Sequence, residues 1–218
     1  MRDSDINKVM PLLERQVRQL DTPWLDELSK SGRDPFKILI SCILSLRTKD
    51  QTTMAASKRL FALAGGPADM AALSEEDIRE AIYPAGFYRV KARTIREINR
   101  QLIGRFGSKV PPRMEDLLSL KGVGRKTANL VLTLGFDSPG ICVDTHVHRI
   151  TNRWGYVSTR TPHETEFALR GKLPKRYWKR INGLLVAFGQ RICKPVSPIC
   201  SACSLTPYCA RVGVRRHR

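Results

Sequence analysis

The stretch Leu120-Lys121-Gly122-Val123-Gly124-Arg125-Lys126-Thr127-Ala128 joins a short helical run, MEDLLSL (residues 114–120), to an apolar one, ANLVLTL (residues 128–134). It reads as helix, tight hairpin, helix. Two glycines separated by one residue let the backbone turn sharply and approach a ligand closely, while the amides that open the second helix carry the positive end of its dipole. Gly122, Val123, Gly124 and Arg125 together suit one phosphate. Glycine-rich turns before helices also serve dinucleotide folds, but no strand precedes this turn, so that reading is poor. The competing reading is an ordinary loop between helices.

The flanking sequence is helical as well. Asp34-Pro35 offers an N-cap followed by proline at the first helical position, and Ser74 with Asp77 has the pattern of a capping box. FKILISCILSL (residues 36–46) is apolar on almost every side, as expected of a helix surrounded by other helices. Further helices are predicted near residues 51–64, 75–83 and 89–106, the last closed by Gly107 ahead of Pro111-Pro112. After Asp144 come helices near residues 146–154, beyond Pro162, and over 175–191. Strand signals are scarce and no internal repeat appears, so the fold class is all-α. The tail from Arg211 to Arg218, rich in arginine and poor in apolar residues, reads as frayed.

The 218 residues are enough to bury a full hydrophobic core. They carry 38 Lys and Arg against 20 Asp and Glu, a formal net charge of +18 that exceeds ordinary surface decoration. A polyanionic partner is the direct reading, although charge alone does not separate DNA from RNA. MRDSDINKVM lacks the apolar run of a secretory signal, and no window reaches the ~20 apolar residues of a membrane span. The expectation is a soluble intracellular protein without a membrane partner, cytoplasmic and nucleoid-associated if prokaryotic.

In a reducing compartment clustered cysteines point to metal ligation rather than to disulfides. Cys193, Cys200, Cys203 and Cys209 follow the spacing C-x6-C-x2-C-x5-C. Zinc sites usually join two short pairs across a longer gap, whereas four thiolates in one compact loop suit an iron-sulfur cube better. Zinc is the remaining metal alternative. Cys42 and Cys142 fall in apolar runs and read as small core residues.

LKGVGRKTAN (residues 120–129), followed by Val143-Asp144-Thr145-His146, resembles the helix-hairpin-helix motif and catalytic aspartate loop of the endonuclease III family. The likeness covers most of the chain, through LISCILSLRTKDQT (residues 39–52), AGFYRVKA (residues 85–92) and the cysteine loop, in the family's order. It implies two helical domains with a DNA-binding groove between them. One is a barrel-like domain over residues 28–138 with the hairpin; the other combines residues 1–27 and 139–218 and holds one 4Fe-4S cluster on Cys193, Cys200, Cys203 and Cys209. The activity implied is that of a bifunctional DNA glycosylase and abasic-site lyase, acting as a monomer on damaged double-stranded DNA.

In that family the lysine at the position of Lys126 attacks the sugar C1′, expels the base and leaves an imine that promotes β-elimination. Such chemistry needs an amine whose charge is disfavoured; the first turn of a helix, beside Arg125, has that effect. Asp144 resembles the aspartate that stabilises positive charge developing on the sugar, and an ordinary N-cap is its bland alternative, compatible with the first. His146, which fits the VDTH pattern, and His148 are weaker candidates, because histidines near helix starts are most often ordinary polar contacts. Lys194, between the first two cysteines, is placed to meet a phosphate.

Base extrusion requires side chains that fill the gap left in the stack. Arg47 stands where family members commonly have Gln, and Phe87 where they have an aliphatic residue; both can serve, with consequences for lesion range. Phe87 is alternatively a buried aromatic. The presence of Lys126 argues against the mismatch-type adenine glycosylases, which lack it and use an acidic residue near Ser45–Asp50. Oxidised or ring-saturated pyrimidines are the expected substrates. Two rivals stand beside this reading: a mismatch- or purine-directed glycosylase of the same superfamily, and a non-catalytic DNA-binding module.

Overall fold

A computed structural model describes residues 1–20 and 22–218. Among the described residues there are twelve α-helices and no β-strand. They fall into two compact units, one formed by Trp24–Ser138 and one by Met1–Pro23 with Pro139–Arg218. The sequence reading drew the first boundary at residue 28; α2 (Trp24–Lys30) packs against α3 (Pro35–Ser45) and α4 (Asp50–Leu63), which takes it to Trp24. No helix among the described residues is long and apolar enough to cross a membrane.

In the first unit α3 is the central helix. Phe36 and every residue from Ile38 to Leu44 are buried, and full burial of each large side chain contributes roughly 1.5–3 kcal/mol relative to exposure. Its start is specified as the sequence predicts: Pro35 takes the first helical position and the Asp34 carboxylate accepts from the amides of Phe36 and Lys37 at 2.9 and 3.2 Å. Against it lie α2, α4 and α7 (Tyr88–Phe106), while α5 (Pro67–Ala72) and α6 (Glu75–Ile82) pack on α7. At the head of α6 the Ser74 hydroxyl accepts from the Asp77 amide, and Asp77 accepts from the Ser74 amide in return. α7 ends at Gly107, whose φ of 56° lets the Ser108 amide close on Leu102 O at 3.0 Å.

The hairpin helices are α8 (Met114–Leu118) and α9 (Arg125–Leu130), and α9 runs on into a π-helical turn, Val131–Gly135. This turn lies against the start of α3 so closely that a Cβ on Gly135 would stand 3.0 Å from Pro35 Cα. The packing of α9 on α3 therefore orients the hairpin.

The second unit packs α1 (Ile6–Val17), α10 (Thr145–Arg153), α11 (Pro162–Lys172) and α12 (Trp178–Arg191) around Met10, Leu13, Ile150, Trp154, Leu185 and Phe188. The single helix expected over 175–191 begins instead with a 3-10 turn, Lys175–Tyr177. The tail is not frayed, contrary to its composition. Val212 N donates to Arg153 O at 3.0 Å, Arg218 N donates to Pro198 O at 2.8 Å, and Arg218 O accepts from Ser201 N at 2.9 Å. Backbone hydrogen bonds, which composition does not register, hold it to the cysteine loop.

One carboxyl in α2 is displaced by its surroundings. Burial pushes Asp26 up to about 6; Lys30 works against the shift and Asp50 adds to it. The folded state then holds this proton more tightly than the unfolded chain, so the group's contribution to stability is present below its ordinary value of 3.8 and is lost as pH rises through about 6. Asp26→Asn should match the parent at low pH and become the more stable protein above pH ~6, read as a pH-dependent gap between urea midpoints.

Candidate functional site

The hairpin is shaped by Gly122, whose φ of 81° belongs to the left-handed region. A Cβ there would also stand 2.7 Å from Thr94 Cγ2 on α7, so the turn sits hard against that helix. Lys121 N donates to Gln101 Oε1 at 3.0 Å, a second tie to α7. Val123 is buried, only 6% exposed, and its amide donates to Leu120 O at 3.1 Å. Its contribution is thus to the turn, and any ligand contact there belongs to the exposed backbone of Gly122 and Gly124. Gly124 is the N-cap of α9 and has no side chain with which to cap it. Arg125 and Lys126 follow in the first turn, both half-buried. Lys126 lies close enough to the Cys42 thiol, on α3, for its charge to be felt there, although burial pushes that thiol up to about 12. Cys42 and Cys142 are core residues, as their apolar settings suggest.

Asp144 is the N-cap of α10. Its Oδ1 accepts from the amides of His146 and Val147 at 2.8 and 2.9 Å, and neither cap bond falls on Oδ2. The carboxylate is thereby oriented by a helix start, whose dipole favours its negative charge. His146 turns back into its own unit: Arg149 Nη2 donates to its Nδ1 at 3.1 Å, and a Cβ on Gly189 of α12 would overlap that nitrogen at 2.3 Å. His148 Nδ1 lies 2.7 Å from Thr165 Oγ1 in a polar network with Asn152 and Thr159, a structural role.

Arg47 and Phe87 are brought together. The Arg47 guanidinium carbon lies 5.5 Å from the centre of the Phe87 ring, and Phe87 is 60% exposed rather than buried. Both have left-handed backbones, φ 52° and 59°, which costs a non-glycine residue roughly 1–2 kcal/mol. Strain of this kind is retained where surrounding structure over-determines the loop.

Cys193, Cys200, Cys203 and Cys209 line one pocket with Trp154 and Phe188, and none forms a disulfide. Burial pushes Cys203 and Cys209 up, and each also feels neighbouring thiols, which places the sulfurs in one another's field. Four soft sulfur donors in an apolar wall fit a cluster that withdraws charge from thiolates. Among the described residues no three His, Cys, Asp or Glu side chains form a group able to hold a single metal ion. The loop is held from α10: Arg149 Nη2 donates to Cys193 O at 2.9 Å, and Arg153 donates to the carbonyls of Lys194 and Pro195 at 2.6 and 2.5 Å. Lys194 is half-buried, with its backbone used in this way. From α1, Gln16 Oε1 accepts from Ser204 N and Oγ at 3.1 and 2.7 Å. Sequence reasoning missed Gln16, Arg149 and Arg153; the two arginines, four residues apart on α10, were the available signal.

A family model described as HhH-GPD superfamily base excision DNA repair protein matches residues 40–175. Endonuclease III of Thermotoga maritima is 52% identical over 176 residues, which cover 81% of this chain and 83% of that protein. Endonuclease III homolog 1, chloroplastic, of Arabidopsis thaliana is 45% identical over 185 residues, 80% of this chain but 48% of that longer protein. A solved structure of a trapped Endonuclease III–DNA covalent intermediate superposes with a TM-score of 0.86 at 32% identity, covering 97% of each chain.

The hairpin geometry is testable by one methyl group. Gly122→Ala adds both a strained φ and a contact with Thr94, and should weaken binding to undamaged duplex DNA by about tenfold, or ~1.4 kcal/mol, in a titration followed by fluorescence anisotropy. Gly104→Ala, at an exposed position of α7 where a Cβ meets nothing within 4 Å, should leave that affinity unchanged and raise stability by roughly 0.5–1 kcal/mol.

Proposed function

The chain belongs to the endonuclease III family of the HhH-GPD superfamily, and we propose that it is a bifunctional DNA glycosylase and abasic-site lyase of base excision repair. Its substrates are oxidised or ring-saturated pyrimidines in duplex DNA. The observation that carries the lyase half is Lys126 itself: an amine in the first turn of α9, directly behind a hairpin built for close approach to a phosphate. A 32% identical Endonuclease III trapped covalently on DNA supports a nucleophile of this kind.

In the reaction the unprotonated Lys126 amine attacks C1′ of the extruded nucleotide. The bond from C1′ to the base breaks, and the base leaves with the electron pair and takes up a proton. Opening of the sugar then leaves a lysine imine, loss of a C2′ proton follows, and the C3′–O bond breaks by β-elimination. Asp144 stabilises the positive charge that develops on the sugar and assists proton transfer, its carboxylate held by the two cap bonds. The amides around Gly122 and Gly124, with Arg125, hold a phosphate and fix the register of the duplex. Arg47 and Phe87 fill the gap left by the extruded base. Lys194 acts at the edge of the DNA footprint, whereas His146, turned back onto Arg149 and α12, helps order the site from within its own unit.

Cys193, Cys200, Cys203 and Cys209 would hold one 4Fe-4S cluster, which would offset part of the charge of the four thiolates and cross-link the loop. The protein's other partner is damaged double-stranded DNA, and it acts as a monomer.

The decisive experiment offers duplex DNA with a single thymine glycol and reduces with borohydride. The parent should form a covalent complex, and Lys126→Ala should form none and lose strand cleavage by three or more orders of magnitude; an adduct in the variant would refute the assignment. The purified protein should be yellow-brown, with iron and acid-labile sulfide in equal amounts, and Cys203→Ser should lose the visible absorbance.

A further inference from the structure

Lys91 is 5% exposed, yet it is a cation in the apolar stripe of α7. Its ammonium donates to Leu44 O at 2.6 Å, to Leu46 O at 2.7 Å and to Thr48 Oγ1 at 2.7 Å. An ammonium has three N–H donors, so all are used, and all three acceptors are neutral. Burial alone draws its pKa down to about 8, so the site holds the charge without a carboxylate.

The acceptors are informative. Leu44 O and Leu46 O belong to the last turn of α3 and its exit, where carbonyls lack helical partners and a cation is favoured. Immediately after them stands Arg47 in its left-handed conformation. Thr48 Oγ1 is also saturated: it accepts from Lys91 and from Gly86 N at 3.0 Å, and donates to Leu46 O at 3.3 Å. On the other side the Lys91 backbone amide donates to Phe87 O at 3.0 Å. A Cβ on Gly86 would stand 2.5 Å from Arg47 O, so the two loops touch at backbone level.

We propose that Lys91 is a positioning residue that locks the Arg47 and Phe87 loops into one rigid wedge, so that filling of the gap and contact with the opposing base occur as one event. The inference rests on the reading of Arg47 and Phe87 as the residues that enter the duplex. With the lock intact the left-handed backbones at both tips are held before DNA arrives, and base extrusion proceeds without reordering them. Without it the loops open independently, and the loss falls on duplex substrates, which must be unstacked. Single strands need no wedge.

The test is a quotient of single-turnover rates on two substrates: thymine glycol in a duplex, and an abasic site in a single-stranded oligonucleotide. Lys91→Met, which keeps the apolar stem and removes the donors, should lower the duplex to single-strand quotient by about tenfold or more and flatten its dependence on the opposing base. Gly86→Ala, which forces the loops apart with no change of charge, should do the same. A variant that merely loses stability lowers both rates together, and thermal melting checks the fold. If both folded variants keep the parent quotient while Phe87→Ala lowers it, the lock is refuted and the wedge stands. If Arg47→Ala and Phe87→Ala also keep it, the reading of the two loops falls, and the lock with it.

Discussion

A helix buried on all sides has no water at its ends, and this constraint organises the first unit. The eight buried residues of α3 drive its insertion among α2, α4, α7 and α9, but insertion strands the amides of its first turn and the carbonyls of its last. Asp34 satisfies the former and Lys91 the latter. Two ions of opposite sign thus sit at the ends where the helix dipole favours each. Both ends then become reference points. The start receives Gly135 and, through it, α9 with Lys126; the exit carries Arg47. Residues far apart in the chain are positioned by one helix.

The second unit solves a comparable problem with α10. Asp144 caps its start, while Arg149 and Arg153 further along reach the carbonyls of the cysteine loop. The carboxylate and the four cysteines are therefore mounted on the same short rod. Trp154 and Phe188 form the apolar wall beneath the thiols, and the C-terminal residues close over the loop through backbone hydrogen bonds. The cysteine loop is thus tied through α10 to the carboxylate at that helix's start.

Much of this was legible before the coordinates. The glycine spacing, the cap at Asp34, the capping box at Ser74, the apolar run of α3 and the spacing of four cysteines are local patterns, each with a local physical cause. Lys126 and Asp144 could be singled out because their neighbours define a motif within a few residues. What was misread was non-local. The arginine-rich tail looks unstructured because its partners, Arg153, Pro198 and Ser201, are remote or are backbone atoms. Phe87 was open between core and surface, since an aromatic residue suits either. Lys91 left one trace, a lysine in register with Ile95, Ile98 and Leu102 on the buried stripe of α7, and that trace has meaning only when α3 ends beside it.

By itself the sequence determined the helical class, the glycine hairpin and the close spacing of four cysteines, and it singled out Lys126 and Asp144, because these depend on backbone preference and chemistry within a few residues. Only the tertiary structure decided that Arg47 and Phe87 meet, that Val123 is buried while Gly122 lies against α7, and that Lys91 ties two loops together. Those outcomes depend on which chain ends and carbonyls are brought together when α3 is buried. Burial selects partners by proximity in space, and spacing along the chain does not encode it.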